Sequence, residues 1–227
     1  MHSITDFIAA HADQERNAGL FEVENPMTLQ VNLRGTVFAK AGAMIAYRGD
    51  VKFSRKGVLE DGIGKLLKKT VTGEGATLMK MEGNARVYLA DAGKRVHVLA
   101  LEGESISVNG HDLLALESTL DWDIVMMKSM AGALAAGLFN VKISGRGLVA
   151  ITTHGQPLVL PVTSARPVHT DPQATVAWSG KLAPDIHTDV SLSALVGRTS
   201  GESVQMRFKG EGWVMVQPYE ERAVAAR

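Results

Sequence analysis

The sequence predicts a mostly β protein in which three quasi-repeats of antiparallel strands form a pseudo-threefold β-sandwich or barrel with short helical inserts. Three observations lead to this prediction. The 227 residues include 45% hydrophobic and 21% charged side chains, which is the composition of a globular chain with a sizeable core. The chain resembles itself at fixed offsets, as repeated structural units do. Short apolar segments alternate with turn residues, as in strands joined by hairpins.

The charge balance and the absence of cysteine exclude several kinds of function. Lys and Arg number 24, Asp and Glu also number 24, and the formal net charge is zero. We expect no nucleic-acid partner, because binding to phosphates depends on a basic surface. The chain contains no cysteine, which excludes disulfides, thiolate nucleophiles and Cys-bound metals.

The N-terminal segment, residues 1–19, is expected to begin with a short helix. Ser3 and Asp6 have the spacing of a capping box, and an apolar stretch follows them. The segment has no export signal, so we expect a cytoplasmic protein. A single β-rich domain then occupies residues 20–218, and residues 219–227 form a tail.

The repeats are clearest in the middle of the chain. Residues 83–124 match residues 145–186 at a constant offset and without gaps. Gly83 and Gly145 are one such pair, and a strand that follows a glycine at a repeated position often contains a bulge or a sharp bend.

A third copy appears at slightly different offsets. Val37 matches Ile106, and the glycine-led strand of the second unit, which begins at Gly145, matches that of the third, which begins at Gly210. One repeat position takes Tyr47, Leu116 and Trp178, all bulky and apolar. The three predicted units span residues 37–103, 106–165 and 168–217.

Each unit is expected to contain the same series of elements. Two strands around a turn come first, then a variable insert of helical character, and then a strand led by glycine. The opening strand pairs are Val37–Ala39 with Met44–Tyr47, Ile106–Val108 with Leu113–Leu116, and Val168–Thr170 with Ala174–Trp178. The helical inserts are Leu59–Lys69, Val125–Leu138 and Val190–Val196. The glycine-led strands are Arg86–Leu89, Leu148–Thr152 and Trp213–Gln217.

The first two units continue into a further strand, and the third does not. These further strands are Arg95–Leu101 and Leu158–Val162. Thr28–Leu33 has the alternating apolar residues of a strand and precedes the first unit by a similar short gap. We therefore predict that Thr28–Leu33 completes the third unit, residues 168–217, and closes a ring of sheets with few exposed edges.

The segment from Gly145 to Ala150 fits the G-x-G-x-x-A dinucleotide fingerprint. That fingerprint binds pyrophosphate only where a strand leads into a helix. Here Leu148–Thr152 is itself predicted as a strand, and the glycine pair recurs in the third unit at Gly210 and Gly212. The pattern therefore favours a structural role, and we expect no cofactor.

The polar residues show no catalytic or metal-binding spacing. The seven histidines form no H-x-H, H-x-x-H or H-E-x-x-H motif, so we expect no metal site. His97 alternates with apolar neighbours and is expected at the surface or on a rim. His154 and His169 could still meet in space. Asp121 and Asp123 share one face of a strand, which fits either acid–base chemistry or a strand-end role.

The apolar segment 124–139 has three open interpretations. It is short of the roughly 20 apolar residues that span a bilayer, and Lys128 interrupts it. Its small residues allow close helix packing, and its methionines can fill irregular gaps. It can therefore be core, a subunit interface, or a surface that faces a ligand or a membrane.

Four segments resemble a family named for mitochondrial biogenesis (altered inheritance of mitochondria), over about residues 20–218. They are F-E-V-E-N-P-M-T-L-Q-V-N-L, A-K-A-G-A-M-I-A-Y, S-G-R-G-L-V-A-I-T-T-H-G and K-G-E-G-W-V-M-V-Q-P. The resemblance implies a fold related to the tryptophan RNA-binding attenuation protein, a β-rich ring former. It also implies bacterial members without an assigned biochemical activity and mitochondrial relatives linked to organisation of the inner membrane. It supplies no catalytic motif.

We therefore expect a non-enzymatic, homo-oligomeric scaffold or interaction protein, with a protein or a membrane surface as its partner. The alternative is a small-ligand-binding module that uses the pseudo-axis or the grooves between repeats. An enzyme would require a histidine–carboxylate cluster that only the fold could assemble.

Overall fold

The structure is a computed structural model that describes residues 3–14, 19–55, 78–126, 139–188 and 204–220. This part of the chain forms one helix and fourteen strands. The helix is α1 (Ile4–His11). The strands are β1 (Phe21–Asn25), β2 (Thr28–Lys40), β3 (Met44–Arg55), β4 (Leu78–Leu89), β5 (Arg95–Asn109), β6 (Leu113–Glu117), β7 (Asp121–Met126), β8 (Phe139–Thr153), β9 (Leu158–Val162), β10 (Val168–Thr170), β11 (Thr175–Ser179), β12 (Asp185–Thr188), β13 (Val204–Phe208) and β14 (Gly212–Val216).

The N-terminal helix begins where the capping box predicts. Ser3 Oγ accepts a hydrogen bond from the backbone N–H of Asp6 at 3.1 Å, and α1 lies within the predicted segment 1–19. Asp13 follows the helix and accepts a hydrogen bond from the Tyr88 hydroxyl at 2.7 Å. That hydrogen bond is the main cause of the lowered pKa of Asp13. It attaches the segment to β4.

The strands form two antiparallel sheets. The larger has eleven strands in the order β3-β4-β2-β6-β8-β5-β11-β14-β9, with β1 on β2 and β7 on β8. The smaller has the order β10-β13-β12. The path of the large sheet begins at β3 and ends at β9, so the sheet is not closed. The mostly β, antiparallel prediction is therefore confirmed, and the predicted closure is wrong.

The prediction that Thr28–Leu33 completes the third unit is also wrong. β2 contains this segment and pairs with β4, in the first unit, from Leu29 to Lys40. The further strands Arg95–Leu101 and Leu158–Val162 likewise pair with β8 and β14, in the units that follow them. The repeat gives the period of the elements but not where a unit begins, so each of these strands opens a unit instead of ending one.

Within the three predicted units, three ladders use the same register, each with a bulge at the same place. They join β3 to β4, β6 to β8, and β11 to β14. Their first pairs correspond to one another in the alignment of the units read from the sequence. These pairs are Met44↔Leu89, Leu113↔Ile151 and Thr175↔Val216. A second set has the same relation, namely Val37↔Met81, Ile106↔Ile143 and Val168↔Phe208.

A glycine with positive φ stands at the same repeat position in each of the three predicted units. Gly83 in β4, Gly145 in β8 and Gly210 before β14 have φ values of 148°, 114° and 125°, which L side chains rarely adopt. A Cβ atom on Gly83 would collide with the backbone oxygen of Asp50 on β3. Glycine is therefore required here by the backbone conformation and by the close approach of the next strand.

The helical inserts Leu59–Lys69 and Val190–Val196 lie outside the described residues. The middle insert, Val125–Leu138, is described only at its start, where Met126 ends β7, and Phe139 then begins β8. The ends of the apolar segment 124–139 are thus strands, contrary to the helical prediction. No helix in the described part of the chain combines the length and apolar character needed to cross a membrane.

The core of the described residues consists of three apolar clusters, and each also takes some residues from outside a single predicted unit. The first is centred on residues such as Leu33, Met81 and Val87, and the second on Leu116, Ile143 and Ile151. The third contains Trp178, Met206 and Phe208.

Candidate functional site

A buried network of charges lies where the first and second units meet. Lys94 Nζ donates a hydrogen bond to Asp112 Oδ1 at 3.0 Å, and both side chains are buried. Lys40 Nζ donates to Asp91 Oδ2 at 2.8 Å. The backbone oxygen of His111 accepts from Lys40 at 2.9 Å and from Lys94 at 3.3 Å. Each ammonium thus lies beside a carboxylate.

Thr152 on β8 extends this network. Its hydroxyl donates to Asp91 Oδ2 at 3.1 Å, and its backbone N–H donates to the backbone carbonyl oxygen of Asp112 at 2.8 Å. The network therefore joins the turns after β2, β4 and β5 to strand β8. The two positive and two negative charges balance, and each ammonium is hydrogen-bonded to a carboxylate, so the arrangement favours a structural role.

Sequence reasoning misses this network because no spacing connects its members. Asp91 and Lys94 share the turn after β4, but Lys40, at the end of β2, and Asp112, after β5, are far from that turn along the chain. The available signal is weak: each lies at or near the turn that follows a predicted strand.

His97 occupies a cleft, in line with the rim position predicted for it. Its Nε2 lies 2.8 Å from Thr153 Oγ1, and it lines a cavity of about 450 Å³ together with Arg95, Glu24 and Gln156. Burial lowers the pKa of His97, and the charge of Arg95 lowers it further. Both effects favour the neutral imidazole over the charged one.

The structure gives His154 and His169 separate partners. His154 follows β8, its ring packs on Tyr219 with centroids 4.0 Å apart, and its backbone N–H donates to Gln217 Oε1 at 2.7 Å. His169 lies on β10 in the small sheet, opposite Arg207. Within the described part of the chain, no group of three or more His, Asp and Glu residues is arranged to hold a metal ion.

Asp121 and Asp123 lie on one exposed face of β7, as their spacing predicts. Asp123 is opposite Lys142 on β8. The matching residue of the third unit, Asp185, is opposite Arg207 on β13. Both carboxylates face a cation across a strand pair, which favours a structural role over acid–base chemistry.

The segment from Gly145 to Ala150 is continuous strand within β8, and β8 runs on to Thr153. The strand-to-helix turn that the dinucleotide fingerprint requires is therefore missing at this place. Its glycines serve the bend of β8.

A largely apolar groove of about 480 Å³ lies between the second and third units. β5 pairs with β8 along nearly its whole length, whereas β11 pairs with β5 only from Ile106 to Val108. The groove lies beside the part of β5 that precedes this pairing. The backbone N–H of Trp213 donates to Ser179 Oγ at 3.2 Å and fixes the wall of the groove. The apolar lining is Leu99, Leu101, Ile106, Val159, Trp213 and Met215, and the charged residues are Glu104, Lys181 and Glu211. The groove is of the kind expected between repeats, although its position between these two units is not readable from the sequence.

Comparisons with known proteins give one family model and two similar bacterial proteins. The family model described as "Mitochondrial biogenesis AIM24" matches residues 21–219. An uncharacterized protein of Streptococcus pyogenes serotype M6 is 25% identical over 197 residues, which is 81% of this chain and 77% of that protein. The X-ray crystal structure of a Streptococcus pyogenes protein is similar with a TM-score of 0.68 and 22% identity, over 88% of this chain and 92% of that one. The structural likeness shows a shared fold, and the match over most of its length shows that this chain belongs to the mitochondrial biogenesis AIM24 family.

Proposed function

We propose that this protein is a non-enzymatic, oligomeric scaffold or interaction protein. One observation carries the proposal: large apolar side chains are exposed on one face of α1 and on one face of β3. They are Ile4, Phe7 and Ile8 on α1, and Ile45 and Tyr47 on β3, at the spacings that place residues on the same face of a helix and of a strand. Grouped exposed apolar side chains of this kind are a mark of interaction sites.

The buried charges support the same proposal. Lys94 and Asp112 are bonded to each other and, with Lys40 and Asp91, hold turns together. Such paired groups fix the positions of the turns and are not presented to a substrate.

A pseudo-threefold arrangement of three units is part of the proposal, together with a fold related to the tryptophan RNA-binding attenuation protein. The matching registers of the three units support the first, and the family resemblance suggests the second.

Native mass spectrometry of protein purified gently from its own host tests the proposal. We expect a defined homo-oligomer without additional mass. A monomer at micromolar concentration would contradict the oligomeric scaffold.

A cytoplasmic protein that binds a membrane surface is a further part of the proposal. Sedimentation with lipid vesicles tests it, using the full chain and a variant in which a short Gly-Ser linker replaces residues 127–138. We expect the full chain to sediment and the variant to stay in solution. Equal behaviour of the two proteins would contradict a membrane role for this segment.

The groove between β5 and β14 favours a second candidate function, the binding of a small apolar ligand with a polar end. Its volume of about 480 Å³ lies in the range of ligand sites. Lys181 and Ser105 at the groove offer donors to an anionic or carbonyl group.

Isothermal titration with dodecanoate tests this second candidate. Val159→Arg places a long side chain in the groove and should abolish binding. Leu158→Arg is the matched control, since Leu158 is exposed on the same strand but does not line the groove. Equal affinities of the two variants would contradict binding in the groove.

A further inference from the structure

We propose that the edge of β3 that has no strand partner among the described residues binds strand β10 of a second copy of this chain, with Tyr47 opposite His169. This inference rests on the proposed function and names the partner and the surface through which the scaffold assembles. It follows from the two junctions that already join units within the chain.

The first junction pairs the end of β2 with β6, and Phe38 lies opposite Leu116. The second pairs the end of β5 with β11, and Ser107 lies opposite Trp178. In the alignment of the units, Phe38 corresponds to Ser107 and Leu116 corresponds to Trp178. The junctions are thus two copies of one contact, in one register.

The same alignment defines a third junction that the chain does not form. Phe38 and Ser107 correspond to His169 on β10, while Leu116 and Trp178 correspond to Tyr47 on β3. In the described part of the chain, β3 pairs only with β4, and β10 pairs only with β13. Each strand therefore has one edge whose backbone groups have no strand partner there.

The burial of side chains points to the same missing contact on β3. Tyr47 is 51% exposed, whereas Leu116 and Trp178 at the same repeat position are 0% and 3% exposed. Ile45 is 58% exposed, and its counterparts Leu114 and Val176 are both fully buried. Each unit places bulky apolar residues here, but only the first leaves them in water.

The other side of the missing junction shows the same difference. Val37 and Phe38 on β2 are buried, as are Ile106 and Ser107 on β5. Their counterparts on β10, residues 168–169, are half-buried and exposed. Both free surfaces therefore lack cover at the positions that a strand partner covers in the other two junctions.

A second copy fits these two edges because they are complementary to each other and neither is self-complementary in this register. Within one chain, β3 belongs to the large sheet and β10 to the separate small sheet. Pairing between different surfaces of successive copies is head-to-tail, so it closes into a ring or continues as a filament. It also removes an exposed strand edge, which otherwise promotes aggregation.

Disulfide trapping tests the register directly, because the chain has no cysteine of its own. In the double variant Tyr47→Cys with His169→Cys, mild oxidation should produce covalent dimers and larger species that a reductant returns to single chains. Mixing the two single variants should give one covalent dimer. The double variant Met27→Cys with His169→Cys is the matched control, since Met27 is exposed in the turn between β1 and β2, and should give at least tenfold less of these species.

Two outcomes would overturn the inference in different ways. A disulfide within one chain would mean that β3 and β10 meet in the same copy. A protein that is oligomeric by native mass spectrometry, but gives no disulfide-linked species, would assemble through another surface. The second outcome leaves the proposed function standing, whereas a monomer would remove both.

Ile45→Lys provides an independent readout. Ile45 is exposed in the single chain, so the substitution should leave the fold intact while placing a charge in the proposed contact. We expect the concentration for half-assembly to rise at least tenfold. Met27→Lys is the control and should assemble like the unaltered protein. Equal assembly of the two variants would contradict the inference.

Discussion

Two lysines and two aspartates that the sequence does not single out hold three turns of this protein together. Lys94 and Asp112 are the most deeply buried pair. A paired charge in the interior contributes little net stability, but an unpaired one is costly, because it keeps its desolvation penalty and loses its partner.

Replacing one member of the pair should therefore destabilise the fold strongly. We expect Lys94→Ala to lower the free energy of unfolding by about 3–5 kcal/mol, measured by urea denaturation. Lys94→Met combined with Asp112→Leu should cost much less than Lys94→Ala, because it leaves no buried charge. Lys52→Ala, at an exposed lysine of β3, is the control. A double variant as unstable as the sum of its single variants would contradict the argument.

The environment of His97 predicts a loss of stability in mild acid. The folded pKa is lowered, mainly by burial, so the unfolded chain takes up the proton first as the pH falls below about 6.5. As the pH falls from about 6.5 to the folded pKa, the free energy of unfolding should decrease. Above about pH 6.5, His97 should not change the free energy of unfolding.

Urea denaturation at pH 7.5 and pH 5 measures this effect. His97→Gln should remove a share of the decrease, whereas His11→Gln, on the exposed helix, should leave the decrease as in the unaltered protein. The same pH dependence in both variants would show that His97 is not responsible.

At the scale of elements, bent strands define the units. Gly35 on β2 and Gly83 on β4 lie directly opposite each other, and both have positive φ. A Cβ atom would meet nothing within 4 Å at Gly35 but would collide with the backbone of Asp50 at Gly83. The two positions therefore separate the effect of conformation from that of close approach.

We expect Gly35→Ala to lower the free energy of unfolding by about 1 kcal/mol, the cost of the conformation alone. Gly83→Ala should cost roughly 2–4 kcal/mol, because β3 must also move. Thermal denaturation of the two variants beside the unaltered protein measures the difference. If the two variants lose the same free energy of unfolding, then β3 moves away from a side chain at position 83 without a measurable cost.

At the scale of the whole molecule, an open sheet leaves one unit contact unmade. β3 is the outer strand of the large sheet, and its exposed face carries Ile45 and Tyr47. The first unit thus carries bulky apolar residues at positions that are buried in the other two units, although its outer strand lies at the end of the sheet.

Assembly of copies should make thermal stability depend on concentration. A partner that binds only the folded chain stabilises it by mass action, so the Tm should rise as protein concentration increases. Differential scanning calorimetry over a hundredfold range of concentration measures this rise. Ile45→Lys should abolish it, and Met27→Lys should preserve it. A constant Tm in the unaltered protein would argue against assembly of the folded chain.

Local patterns account for the features that sequence reasoning predicts correctly. The Ser3 cap, the strand character of Thr28–Leu33 and the special backbone conformation at repeated glycines each depend on neighbouring residues. The helical character expected at the start of the middle insert is wrong at Val125 and Met126, because β8 offers these residues a strand partner that the sequence pattern does not show.

The sequence by itself determines the family, the mostly β class and the spacing of corresponding residues, because the side chains that define them are close together or repeated. The tertiary structure decides which neighbouring unit each strand joins, where Lys94 meets Asp112, and which copy of a repeated apolar position is left exposed. A repeat has a period but no fixed starting point, and contacts between distant residues leave no spacing in the chain. Strand partners in space therefore determine the boundaries of the units and, among the residues that the structure describes, leave one edge of β3 without a partner.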